Sequence, residues 1–271
     1  MAQKYGAKAL LMNYELRLPF LMYYFPAIKY VGQIFGVFFV DMGVAWNDKF
    51  PRFSDRNNWG THEDSNITND KVKSFKSLVN FSSEKFKILL PGRLTRWKGQ
   101  EMFIEAIRLV KEKIPEKSFC AVILGGDQGR NVYKKKLVGL VQQYRLNKIV
   151  KFIEHCEEMP VAYRIANLVI SSSIEPEAFG RVSVEAQSME KLIIASNIGG
   201  SRETIINDKT GLLFEAGKAK SLSQKIIEAL KLDNTTLKIM GNEGRKNVIK
   251  KFNIEKMCFS TYSEYKKLIN A

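Results

Sequence analysis

Two carboxylates eight residues apart, Glu177 and Glu185, stand in the run Ile174-Glu-Pro-Glu-Ala-Phe-Gly-Arg-Val-Ser-Val-Glu-Ala-Gln187. The short apolar run before them, Asn167-Leu-Val-Ile-Ser-Ser-Ser173, reads as a buried strand ending in hydroxyls at the carboxyl edge of a sheet. Ligands of open α/β sheets bind at that edge. From Arg181 to Met189 the pattern suits a helix, so Glu177 falls in the strand-to-helix loop and Glu185 inside the helix's first turns. Eight residues of helix span about 12 Å, and less where the helix is partial. The loop therefore aims one acid at each end of an elongated ligand, and the free amides of the helix start between them suit an anion. Taken alone, the pair is more commonly found as solvated acids near a helix start, where acids are favoured in any case.

Two cations extend the pattern. Arg93 and Lys98 lie five apart in Gly92-Arg-Leu-Thr-Arg-Trp-Lys-Gly99, on the turn that follows the apolar strand from Lys85 to Leu90. An arginine forks onto a phosphate and a lysine supplies a point charge, so such a pair on a turn can straddle a diphosphate. By themselves, two cations near a turn are solvated more often than bound. Further along, Ile198-Gly-Gly-Ser-Arg-Glu-Thr204 makes another glycine turn at the same expected edge.

These groups need a scaffold, and the rest of the chain reads as one. A short helix over 69–79 leads into the strand before Arg93, and a helix over 99–113 follows with Phe103, Ile104, Ile107 and Val110 on its inner side. Ser118–Leu124 is a strand ending in Gly125-Gly-Asp-Gln-Gly129; a basic helix over 132–144 and a strand over 149–153 come next. After the acidic motif come a strand over 191–196, a short last strand over 210–215, and helices over 219–231, 235–250 and 254–268. Leu222, Ile226, Ile227 and Leu230 have the helical spacing of a core face. This alternation implies parallel βαβ units: a Rossmann-like α/β fold with helices on both faces of the sheet. Gly125, Gly126 and Gly129 lack the dinucleotide fingerprint spacing, so no nicotinamide cofactor is expected and the glycines serve tight turns.

Composition bounds the partners. An apolar fraction of 45% is that of a globular chain with a sizeable core, and the formal charge of +15 calls for an anionic partner or surroundings. The lysines are spread over helices, as in Lys134-Lys-Lys136, Lys250-Lys251 and Lys266-Lys267, without interleaved stacking aromatics. Solvated helix faces with loose adhesion to an anionic membrane explain them more simply than nucleic acid. Cys120, Cys156 and Cys258 are widely spaced and odd in number, which fits inert thiols in a reducing compartment. His62 and His155 add no metal-binding interval, and His155 is read as a loop histidine with its own partners. No secretory signal or spanning run is visible, so the expected location is cytoplasmic, at most peripheral to the inner membrane.

The first residues do not continue the βαβ pattern. Met12, Tyr14, Leu16, Leu18 and Phe20 alternate with Asn13, Glu15 and Arg17, and a second strand candidate covers Ile34 to Trp46, so 1–48 reads as a β-hairpin-like segment. Glu15-Leu-Arg-Leu-Pro-Phe20 and Val37-Phe-Phe-Val-Asp-Met-Gly-Val-Ala-Trp46 resemble paired strands of the bacterial surface-antigen barrel. Residues 49–70 are polar and read as a linker, and the main domain is placed over 71–271.

From about residue 70 onward, the linked motifs resemble the retaining glycosyltransferases of family four, of GT-B fold. They are Arg93 with Lys98, Glu177 with Glu185, and Gly199-Gly200 before Glu203. The resemblance implies a nucleotide-diphospho-sugar donor, transfer with retained anomeric configuration, and no metal or other cofactor. Arg93 and Lys98 would hold the diphosphate, Glu177 the sugar hydroxyls and Glu185 the ribose hydroxyls. The amides near Phe179, Gly180 and Arg181 would face phosphate or sugar. Family members bind their acceptor, of lipid-linked or cell-surface type here, through a first Rossmann-like domain for which residues 1–60 are too short. Two classes stay open: a glycosyltransferase donor domain with its acceptor domain elsewhere, and a non-catalytic nucleotide-sugar binder or orphan fusion fragment.

Overall fold

Strands whose residues are apolar in unbroken runs must be covered on both faces, and this is how the sheet is built. The computed structural model describes residues 67–79, 85–154, 156 and 159–269. The expected N-terminal strand pair, most of the linker, His62 and His155 lie outside the described residues.

Helix α1 (Asn69–Val79) precedes β1 (Phe86–Pro91), α2 (Gln100–Lys113), β2 (Phe119–Leu124), α3 (Asn131–Gln143) and β3 (Val150–Ile153). Then come α4 (Met159–Ile165), β4 (Leu168–Ser171), α5 (Arg181–Ser188), β5 (Leu192–Ser196), α6 (Ser201–Thr204) and β6 (Leu212–Phe214). Helices α7 (Ala219–Lys231), α8 (Asn234–Lys251) and α9 (Ile254–Ile269) complete the described chain. The six strands form one parallel sheet in the order β3-β2-β1-β4-β5-β6. The expected Rossmann-like sheet is the one observed.

Alternate strand residues feed two cores. Ile88 and Leu90 of β1, Ala121 and Ile123 of β2, Leu168 and Ile170 of β4 and Leu192 and Ile194 of β5 enter the first. There they meet Phe103, Ile104, Ile107 and Val110 of α2, all fully buried, and Leu222 and Ile226 of α7. Leu89, Val122, Val169, Ile193 and Ala195 point the other way, against Ala162, Tyr163 and Ala166 around α4 and Ala186 of α5. Each large side chain so buried contributes about 1.5–3 kcal/mol relative to exposure.

Two features were not read from sequence. Helix α4 is an addition; Pro160 in its first turn is a helix-start signal, since proline lacks only an N–H that no partner there would accept. The strand order is the other. After β3 the chain returns to lay β4 beside β1, with Ile88 level with Leu168 and Leu89 with Val169. At this reversal the connections leave β1 and β4 toward opposite sides, which opens a crevice beyond their carboxyl ends.

Candidate functional site

The loops after β1 and β4 leave the sheet side by side and are tied together by one side-chain and one backbone hydrogen bond. Ser172 Oγ donates to the carbonyl of Lys98 (2.9 Å), and the Ile174 amide donates to the carbonyl of Trp97 (2.8 Å). So close an approach requires Gly99, which has φ +71° and whose added Cβ would lie 2.0 Å from the Ser172 carbonyl oxygen. The single 3-10 turn Arg96–Lys98 ends at this glycine and delivers Lys98 to the crevice.

There Lys98 Nζ meets Glu177 Oε1 at 2.8 Å, with the two side chains 15% and 16% exposed. Ser173 Oγ donates to the same carboxylate oxygen, and the Lys98 ammonium also stands 4.4 Å from the Trp97 ring centroid. Arg93, one residue beyond Gly92, is exposed at the same edge. Its carbonyl accepts from Gln100 Nε2 (2.8 Å), and the buried Gln100 in turn accepts from Tyr133 Oη (3.2 Å). Burial pushes the Tyr133 phenol up to about 12, so it remains a donor throughout the working range.

The acidic loop rests on the glycine turn after β5. The Gly200 amide donates to the Glu177 carbonyl at 2.8 Å. A Cβ on Gly199 would fall 2.5 Å from the Glu177 carbonyl oxygen, and one on Gly200 2.5 Å from the Phe179 carbonyl carbon. Phe179 meets Phe252 edge to face, with ring centroids 5.6 Å apart. Gly180 caps the start of α5 in a left-handed conformation (φ +76°), and Arg181 opens the helix.

Glu185, one turn into α5, is held on both oxygens. Tyr163 Oη donates to Oε2 at 2.7 Å, and Arg181 Nε lies 3.4 Å from Oε1. Tyr163 is fully buried, and burial followed by the Glu185 charge holds its phenol well above the usual tyrosine range. The helix is anchored from behind: Gln187 Nε2 donates to the carbonyls of Ser183 and Thr204, and Asn247 Nδ2 of α8 donates to the Thr204 carbonyl and to Gln187 Oε1.

The residues named from sequence thus fall into two groups on one sheet edge. Lys98 and Glu177 touch across the crevice, with Arg93 on the rim; Arg181 and Glu185 touch on α5, behind Phe179 and Gly180. Ser172, Ser173, Gln100 and Tyr163 were not singled out. The hydroxyls at the end of β4 were visible as such, whereas the role of Gln100 depends on a fold-back that no spacing shows.

A sequence model of the family described as glycosyl transferases group 1 matches residues 72–247. The chain belongs to this family. Among the group 1 relatives is the capsular polysaccharide biosynthesis glycosyltransferase CapM of Staphylococcus aureus, 28% identical over 187 residues, 69% of this chain and 47% of CapM. A solved glycosyltransferase from Rickettsia africae is 31% identical with a TM-score of 0.70, over 76% of this chain and 53% of the other. Anabaena HepE, solved in complex with UDP and glucose, shares the fold with a TM-score of 0.66 at 22% identity, over 74% of this chain and 53% of HepE. The chain spans between about a third and a half of the length of the curated relatives it matches. Among the described residues no helix is long and apolar enough to cross a membrane.

Proposed function

We propose that residues 71–271 are the donor-binding half of a retaining glycosyltransferase of family four, taking a nucleotide-diphospho-sugar without metal or other cofactor. The observation that carries this reading is the Lys98–Glu177 pair at the point where the strand order reverses: a cation suited to diphosphate and a carboxylate suited to sugar hydroxyls, 2.8 Å apart. Arg93 and Lys98 bind the diphosphate and stabilise the negative charge that develops on it as the sugar departs. The amides at Phe179, Gly180 and Arg181, at the start of α5, add fixed partial positive charge. Glu177 accepts hydrogen bonds from the sugar, and Glu185 from the ribose. That HepE was solved with UDP and glucose supports a donor of this class.

The match to only part of each relative supports reading these residues as the donor-binding part, with the acceptor bound outside residues 71–271. The acceptor is a lipid-linked or cell-surface glycan, and the basic helices allow cytoplasmic attachment to an anionic membrane. Residues 9–47 are a segment of separate, barrel-like ancestry, joined through the polar linker. No nucleic acid is involved. Calorimetric titration of the full chain with UDP, GDP, ADP and their common sugars tests the reading. Saturable binding lost in Arg93→Ala and Glu185→Ala is expected; a folded chain that binds none of them overturns it.

A further inference from the structure

Glu185 sits one turn into α5 with its side chain partly exposed, and an unanchored glutamate there would sample many rotamers, lost at a cost when a ligand is bound. It is not free. The phenol of Tyr163 reaches it from α4, a different element, across the second core. The ring of Tyr163 is packed among Ala162, Ala166 and strand residues at 2% exposure, and its hydroxyl donates at 2.7 Å to Glu185 Oε2. A buried hydroxyl is costly unless paired, and phenylalanine would fill the same space without that demand. The hydroxyl therefore acts on the carboxylate rather than on packing. A carboxylate offers about four acceptor positions. Tyr163 and Arg181 occupy one on each oxygen, and the side chain is still 18% exposed, so the remaining positions can be reached from solvent.

We infer that Tyr163 is the positioning residue of the nucleoside end of the site, fixing the Glu185 carboxylate so that it prefers a nucleotide carrying both ribose hydroxyls. The inference rests on the donor-site reading, in which Glu185 meets the ribose. Two anchors from two helices restrict the carboxylate's rotation, and one further acceptor position on each oxygen suits the two hydroxyls of a vicinal diol. The phenol stays protonated across the working pH range, so the anchor does not switch. A ligand without one of the two hydroxyls leaves an acceptor position unfilled after desolvation, and that loss is the source of discrimination.

Calorimetry on the full chain tests this with UDP, its 2′-deoxy and 3′-deoxy forms and inorganic pyrophosphate, the guanosine and adenosine series being run alongside. In Tyr163→Phe, UDP binding should weaken about tenfold, as expected for loss of a hydrogen bond to a charged group. Pyrophosphate binding should not change, and the preference for UDP over its deoxy forms should shrink. Combining Tyr163→Phe with Glu185→Ala should weaken UDP binding no further than Glu185→Ala alone. Equal loss of UDP and pyrophosphate, additive effects of the two substitutions, or wild-type indifference to the deoxy forms would each overturn the inference while leaving donor binding intact. A wild-type chain that binds neither nucleotides nor pyrophosphate removes the donor-site reading itself, and this inference with it.

Discussion

Replacing Glu177 with glutamine should make the chain bind inorganic pyrophosphate more tightly, although a residue of the proposed site has been lost. In the free chain the ammonium of Lys98 is 2.8 Å from the Glu177 carboxylate and both side chains are about 85% shielded. An arriving diphosphate must share that ammonium with a negative charge already present. A phosphate charge about 6 Å from the carboxylate is repelled by roughly 2.8 kcal/mol at an effective dielectric of about 20. Residual exposure and salt at about 0.1 M reduce this to about 1.4 kcal/mol, or a factor of about ten in affinity. Glu177→Gln keeps the volume and an acceptor for Ser173 Oγ while removing the charge. Titration of wild type, Glu177→Gln and Lys98→Met with pyrophosphate at fixed salt should rank them Glu177→Gln tightest and Lys98→Met weakest. The gain should shrink for a nucleotide-sugar, which loses its carboxylate contact in the variant. If Glu177→Gln binds pyrophosphate no better than wild type, Lys98 and Glu177 are not competing for one anion subsite, and the electrostatic reading of the crevice fails.

Three further outcomes follow from the geometry. Gly199 has φ +55° and its Cβ position lies 2.5 Å from the Glu177 carbonyl oxygen; left-handed strain of about 1–2 kcal/mol plus overpacking of about 1–3 kcal/mol should lower the urea midpoint of Gly199→Ala markedly, and an unchanged midpoint would show that the turn does not brace the acidic loop. Burial pushes the Cys120 thiol up to about 11, so mass spectrometry should find it unalkylated by iodoacetamide at pH 8 in the folded chain and labelled once urea unfolds it; labelling in the native state would contradict the core assignment. Hydrogen bonds from Arg108 hold the Glu105 carboxyl below its ordinary range, so the stability from this pair is present above the unfolded carboxylate pKa and disappears as pH falls through the lower folded value. Arg108→Ala should therefore cost about 0.5–1 kcal/mol in urea unfolding at pH 7 and progressively less as acid protonates Glu105, and a difference that grew on acidification would reverse the sign of the argument.

The elements were legible where period and composition agree. The helix carrying Phe103, Ile104, Ile107 and Val110 declared its buried stripe, and the apolar runs 118–124 and 191–196 declared strands, observed over Phe119–Leu124 and Leu192–Ser196. Helix α4 was missed because its seven residues hold barely two turns, too few for a period to show. The contact between Lys98 and Glu177 joins residues 79 positions apart and exists only because β4 returns to the side of β1, which is a property of topology. Tyr163 and Gln100 act through fold-backs across helix and strand layers, so their residue types alone gave no signal. Gly199 was visible as a turn residue, and Gly99 only as the start of a helix. That they press on the Ser172 and Glu177 carbonyls follows from the fold and not from local sequence.

The proposed donor, a nucleotide-diphospho-sugar, would lie in the crevice between the β1 and β4 loops. The most direct measurement is a crystal structure of the chain grown with a nucleoside diphosphate, beginning with UDP. The diphosphate should lie within hydrogen-bond reach of Arg93 and Lys98 at the start of α5, with the ribose on Glu185. A nucleotide bound away from that edge, or one whose phosphates face neither cation, would contradict it.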